Sequence, residues 1–109
     1  EVAQQLSVLL DRQVLPCSME RRPGDAYAFN EPLLENLASQ PEMMEAHAIV
    51  LAMFFLLPGR HAGADGDVAQ ICEAMGMPSA IHRSELMASH PKLIDILQDR
   101  FHSCVPMEL

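Results

Sequence analysis

Ten consecutive apolar residues, Ala48 to Leu57, end abruptly at Pro58-Gly59-Arg60-His61, and this junction constrains the fold more than any other feature. The run is too short to cross a bilayer, which takes about 20 residues, and long enough for a strand buried on both faces. Strands of that kind belong to open parallel sheets, where ligands bind beyond the carboxyl ends of the strands. His61 falls at such an end, on a loop that Pro58 and Gly59 oblige to turn. A titratable, metal-ligating side chain at the mouth of a buried strand points to chemistry rather than packing.

Helices are expected on either side of the apolar run. Val2, Leu6, Leu9, Leu10 and Val14 recur at helical spacing, and Pro16 ends that helix. Ser18 to Asp25, with Arg21, Arg22, Pro23 and Gly24, has the composition of a loop. Ala26 to Phe29 is a candidate short strand. Asn30 then serves as an N-cap, with Pro32 in the first turn of a helix carrying Leu33, Leu34 and Leu37. Beyond the apolar run, Val68, Ile71, Cys72 and Met75 lie at i, i+3, i+4 and i+7 on a helix closed by Gly76. Ser79 to Arg83 suggests another short strand. Ser89 or His90 caps a last helix, with Pro91 early and Leu93, Ile94, Leu97 and Phe101 facing inward, before a tail marked by Pro106.

Strict alternation of helix and strand implies an α/β fold, a flavodoxin-like open parallel sheet with helices on both faces. Such folds usually begin with a strand. The expectation is therefore one α/β domain over residues 1–109 whose first strand lies upstream of Glu1.

Composition narrows the function. At 109 residues, half of them apolar, the chain is large enough for a single core. It carries no secretory signal, and its longest apolar run is far short of a membrane span. Seven basic against fifteen acidic residues give a net charge of -8, which argues against nucleic acid, whose binding depends on clustered Lys and Arg. The same charge suits small cations, although an acidic surface is more often a solubility feature. Cys17, Cys72 and Cys104 are odd in number and lack a Cys-x-x-Cys pair, which argues against a disulfide framework or structural zinc. Reduced thiols in a cytoplasmic protein fit best, with Cys72 as a small core residue.

The segment Ile49-Val50-Leu51-Ala52-Met53-Phe54-Phe55-Leu56-Leu57-Pro58-Gly59-Arg60-His61, followed by Asp65, resembles the small sirohydrochlorin cobaltochelatases of cobalamin biosynthesis. Phe29-Asn30-Glu31-Pro32-Leu33 and His90-Pro91-Lys92-Leu93 are further matches, so the resemblance spans about Ala26 to Phe101. It implies a class II chelatase, a lyase that inserts a divalent metal into a tetrapyrrole without ATP and works, in its short forms, as a homodimer. Two histidines act in the family. One follows the first strand in a His-Gly-Ser motif, and the other occupies the Gly-Arg-His position, here His61. The chain departs from the pattern in lacking the first strand and its His-Gly-Ser. Met53 also replaces a frequent proline, and Gly66-Asp67 stands where an apolar residue and a proline are usual.

The resemblance gives each candidate residue a role. Metal insertion removes two pyrrole protons while the ion sheds its other ligands. A neutral imidazole can accept a proton or bind a borderline ion. His61 would therefore bind the metal, take a pyrrole proton, or do both. Glu31, after the expected second strand, would help bind the cation or relay protons, or else be a first-turn acid favoured by the helix dipole. Arg60 would pair with a substrate carboxylate, aided by backbone N–H groups near Gly59 and Gly63, or else be a surface residue. The metal is substrate, cobalt first with nickel or iron as alternatives, and no organic cofactor is implied. The expected partners are sirohydrochlorin and a second copy of the chain, with no nucleic acid and no membrane.

The other histidines have duller expectations. His47 lies at the opposite end of the strand, and His82 lies within the last strand, either core-facing or covered by a helix. His90 is a cap, and His102 is near a fraying helix end. The methionines, Met43, Met44, Met53, Met75, Met77 and Met87, are adaptable packing. Two other functions compete with catalysis. One is a relative that carries metal or tetrapyrrole without turnover. The other is a flavodoxin-like module for a phosphate-bearing cofactor, which needs a Ser/Thr/Gly-rich loop after the first strand.

Overall fold

The computed structural model describes residues 1–20, 22–76 and 80–105. Arg21 of the expected loop, Met77, Ser79 at the start of the expected last strand, and the tail marked by Pro106 lie outside the described residues. Helices and a two-stranded parallel sheet make up the fold, in two compact units, Glu1–Ala46 and His47–Leu109.

Among the described residues, the regular elements of the first unit are all helical. Helix α1, Val2–Leu10, stops earlier than the apolar spacing suggests. Asp11 takes the left-handed conformation (φ 50°), and the N–H groups of Asp11 and Arg12 return to the carbonyls of Val8 and Ser7. That closure satisfies the last carbonyls of the helix before Pro16 is reached. Leu9 and Leu10, expected on a covered stripe, are exposed.

Ala26 to Phe29 is not a strand. Asp25–Asn30 forms a 3-10 helix, with Gly24 at φ 110° leading in and Tyr27 N–H donating to the Gly24 carbonyl at 3.1 Å. Ala is a poor strand former, and a run this short carries too little alternation to hold an extended partner. Asn30 is the last residue of that turn and not a helix N-cap; its side-chain amide donates to the Glu20 carbonyl. A second 3-10 helix, Leu34–Ser39, buries Leu34 and Leu37, and a short α2, Pro41–Glu45, follows.

In the second unit, β1 (Ile49–Leu51) pairs in parallel with β2 (Ile81–Arg83), Ile49 opposite Ile81. Helix α3, Asp67–Ala74, lies between them in sequence, so the unit is a strand-helix-strand crossover. The ladder is three residues long, not ten. Past Leu51 the apolar run stays against the second strand by other bonds. Met53 N–H donates to Ser84 Oγ at 2.9 Å, and the Phe55 and Leu56 carbonyls accept from Met87 and Ala88 at 3.1 and 3.0 Å. A side-chain oxygen interrupts the ladder at Ser84, and Met87–Ser89 coils into a 3-10 helix, so regular pairing ends there.

Nor is the run buried on both faces. Met53 is buried while Val50 and Phe54 are about three-quarters exposed at 72% and 70%, the alternation of a sheet covered on one side. Among the described residues of this unit, Val68, Cys72 and Met53 are the buried apolar ones, and Gly76 (φ 72°) closes α3 as its position required.

Helix α4, Lys92–Cys104, begins where the sequence places it. Pro91 is the N-cap, and just ahead of it His90 Nδ1 accepts from Lys92 N–H and the His90 carbonyl from Leu93 N–H, both at 3.1 Å. Ile94, Leu97 and Phe101, expected inward, are exposed; the apolar stripe is present but uncovered. No helix among the described residues is long and apolar enough to cross a membrane.

Candidate functional site

Residues 58–67 connect the end of the apolar run to α3, and their backbone is folded back on itself. Gly63 N–H donates to the Gly59 carbonyl at 2.9 Å and Gly66 N–H to the Gly63 carbonyl at 3.0 Å. Asp67 N–H then donates to the Arg60 carbonyl at 2.9 Å, and Val68 N–H to the His61 carbonyl at 3.0 Å. These last two bonds satisfy N–H groups that the first turn of a helix leaves without intrahelical partners. Gln70 Nε2 adds a bond to the Asp65 carbonyl.

Two glycines make the fold-back possible. A Cβ on Gly66 would sit 2.7 Å from the His61 carbonyl oxygen and 2.8 Å from that of Arg60. A Cβ on Gly63 would sit 2.9 Å from the Gly59 carbonyl oxygen. Both contacts are with backbone, which cannot swing away as a side chain can.

The loop holds His61 at a fixed place beyond the carboxyl end of β1. Its Nδ1 lies 2.9 Å from Asp67 Oδ2, and its ring centre is 6.3 Å from that of Phe55. Arg60 Nε approaches the same carboxylate oxygen at 3.4 Å. The Arg60 side chain is 79% exposed, against 29% for His61 and 35% for Asp67. Water screens the arginine contact and weakens it, whereas the half-buried histidine-carboxylate pair is better shielded.

The structure therefore brings Gly59, Arg60 and His61 together in one turn. Gly59 is exposed, and its carbonyl anchors the turn. Glu31 belongs to the first unit. It follows the 3-10 helix Asp25–Asn30, is exposed, and donates its N–H to the Ala28 carbonyl at 3.0 Å. It precedes Leu33, which leads into the next 3-10 turn, so it is not a first-turn acid; Glu35 is. No strand leads to it, because Ala26 to Phe29 is helical. Ser18 instead brackets the Pro32-Leu33 segment. It donates its N–H to the Pro32 carbonyl at 3.0 Å and accepts Leu34 N–H at 2.9 Å.

An open cleft of about 460 Å3 is lined by Met53, Ala62 and the Ile81 to Leu86 segment. Ala62, the residue after His61, takes part in the lining; the His61 ring is directed to Asp67 and is not part of it. His82 lies in a strand as expected, but it is neither core-facing nor covered by a helix: it is an exposed lining residue of this cleft. Among the described residues, no group of three or more His, Cys, Asp or Glu side chains is placed to hold a metal ion. Cys72 is in the core as expected, and burial pushes its thiol pKa up against a smaller lowering by the Arg83 charge.

Sequence reasoning passed over Asp67. Residues 61–66 are loop, where neither helical nor strand period applies, and the clue lay in the two glycines at 63 and 66. Compared with known protein families, curated proteins and solved structures, the chain matches none.

Proposed function

We propose that this chain is a class II metal chelatase, inserting a divalent ion into sirohydrochlorin without ATP, with cobalt the first candidate and nickel or iron the alternatives. The observation that carries the reading is the pairing of His61 with Asp67 in a turn beyond the carboxyl end of a parallel strand. Ligands of open parallel sheets bind at that end. The Gly-Arg-His resemblance supplies the chemistry, and the finer architecture goes with it. In this reading β1 and β2 are two strands of a flavodoxin-like open sheet, in a cytoplasmic homodimer.

His61 has two tasks in this reading. Its neutral imidazole offers a lone pair to the incoming ion; once the ion has left it for the macrocycle, the same lone pair accepts one pyrrole proton, and the second passes to solvent water. One nitrogen ligand holds a borderline ion weakly enough to surrender it, whereas a closed four-ligand site would retain it. Arg60 is exposed, and its guanidinium would pair with a carboxylate of the substrate. Positive charge is needed there, because a polycarboxylate approaches a protein of net charge -8.

The test is to mix the full-length protein with sirohydrochlorin and Co2+ and follow the absorbance of the macrocycle. Insertion that His61→Ala leaves unchanged removes His61 from the chemistry. Tight binding of ion or macrocycle without insertion would make the chain a non-catalytic relative. An affinity for sirohydrochlorin that is equal in Arg60→Ala removes the arginine from substrate binding.

A further inference from the structure

We infer that Asp67 is a positioning residue for His61: its carboxylate fixes the imidazole as the Nδ1–H tautomer and so presents the Nε2 lone pair. An ionised carboxylate can only accept, so at 2.9 Å from Oδ2 it is Nδ1 that carries the proton. In the neutral ring the lone pair is then on Nε2, and that is the atom that would meet a cation or a pyrrole proton. Metal-binding imidazoles are commonly oriented by a carboxylate on their second nitrogen.

The pairing rests on backbone closure as well as on two side chains meeting. Asp67 N–H to the Arg60 carbonyl and Val68 N–H to the His61 carbonyl already draw residues 60–61 against residues 67–68. The carboxylate needs little further ordering to reach the ring. Arg60 Nε also approaches that oxygen, at 3.4 Å and from an exposed side chain. Asp67 is also the first residue of α3, where a negative charge is favoured by the helix dipole. A proline at position 67, usual in the pattern that the chain resembles, would have neither the N–H nor the carboxylate. The arrangement is thus this chain's own.

The positioning role rests on the chelatase reading; the tautomer does not. The experiment is a long-range 1H–15N correlation spectrum of the histidine rings in the full chain. It is recorded without metal, about two pH units above the ordinary imidazole value of about 6.5. The wild-type His61 ring is expected as the Nδ1–H form. Asp67→Ala and Asp67→Asn should each move population to the Nε2–H form, with backbone spectra showing a folded chain. If Asp67→Ala does not fold, the near-isosteric Asp67→Asn carries the test alone. A wild-type Nε2–H ring, or variants with an unchanged ring, overturns the inference.

In the insertion assay Asp67→Ala should lower kcat about 10- to 100-fold with little change in KM for sirohydrochlorin. A chain that shows the Nδ1–H ring and inserts no metal overturns the chelatase reading and leaves the pairing intact. A chain that inserts metal with a wild-type Nε2–H ring overturns the Asp67 role alone.

Discussion

The turn that carries His61 and the turn that carries Glu31 hold their backbones in different ways. Around His61, carbonyls of the loop accept the first N–H groups of α3, and two glycines let the strands of the loop touch. The side chain is half-buried and tied to a carboxylate. Around Glu31, one 3-10 turn ends and another begins two residues later, stitched to Ser18, and the glutamate is exposed. A helix capped by its own preceding loop fixes the position of a side chain in that loop. Consecutive 3-10 turns fix the chain direction but leave an exposed side chain in solvent.

The largest expected effect separates the two turns directly. His61→Ala should lower metal insertion at least about 100-fold, the scale of general acid-base catalysis. Glu31→Gln in the same assay should leave the rate unchanged. If the two variants fall equally, both turns belong to one site and the contrast between them is broken.

Next in size is the cost of opening the loop. Gly66→Val drives a side chain into the His61 and Arg60 carbonyls and should cost about 1–3 kcal/mol in urea unfolding, as overpacking does. Gly59→Ala meets nothing within 4 Å and should stay within about 0.5 kcal/mol of wild type. Equal losses would mean that the fold-back is not what holds the turn.

A smaller effect reports on α3, the helix that the loop caps. Cys17 and Cys104 are exposed and should react with a thiol reagent at neutral pH well before buried Cys72. Gly66→Val should narrow that difference by loosening the start of α3. The pH dependence follows from the raised Cys72 pKa. The folded chain keeps the proton longer than the unfolded chain. The thiol's contribution is therefore complete below the unfolded value, near 9.0, and is lost as pH rises through the folded one. Alkaline titration of stability should show this decline in wild type and not in Cys72→Ala.

Some of this was legible in the residues alone. The stripe Val68, Ile71, Cys72, Met75 with Gly76 behind it located α3, because spacing and a positive-φ glycine are local signals. His90-Pro91 located the start of α4 for the same reason. The apolar run from Ala48 to Leu57 marked β1 but not its length, since apolarity does not say how many residues find a ladder partner. Ala26 to Phe29 was misjudged because so short a segment has no period to measure. Ile94, Leu97 and Phe101 form a true stripe, yet a stripe does not say what covers it. Position 61 was evident from the junction itself. Its partner Asp67 was not, because loop closure across two glycines leaves no periodic trace.

The most direct measurement of the central claim is the rate at which sirohydrochlorin takes up Co2+ with and without the full-length protein at equal ion concentration. The account requires uptake to be faster with the protein and to return to the protein-free rate in His61→Ala. Uptake that is the same with and without the wild-type chain would contradict it.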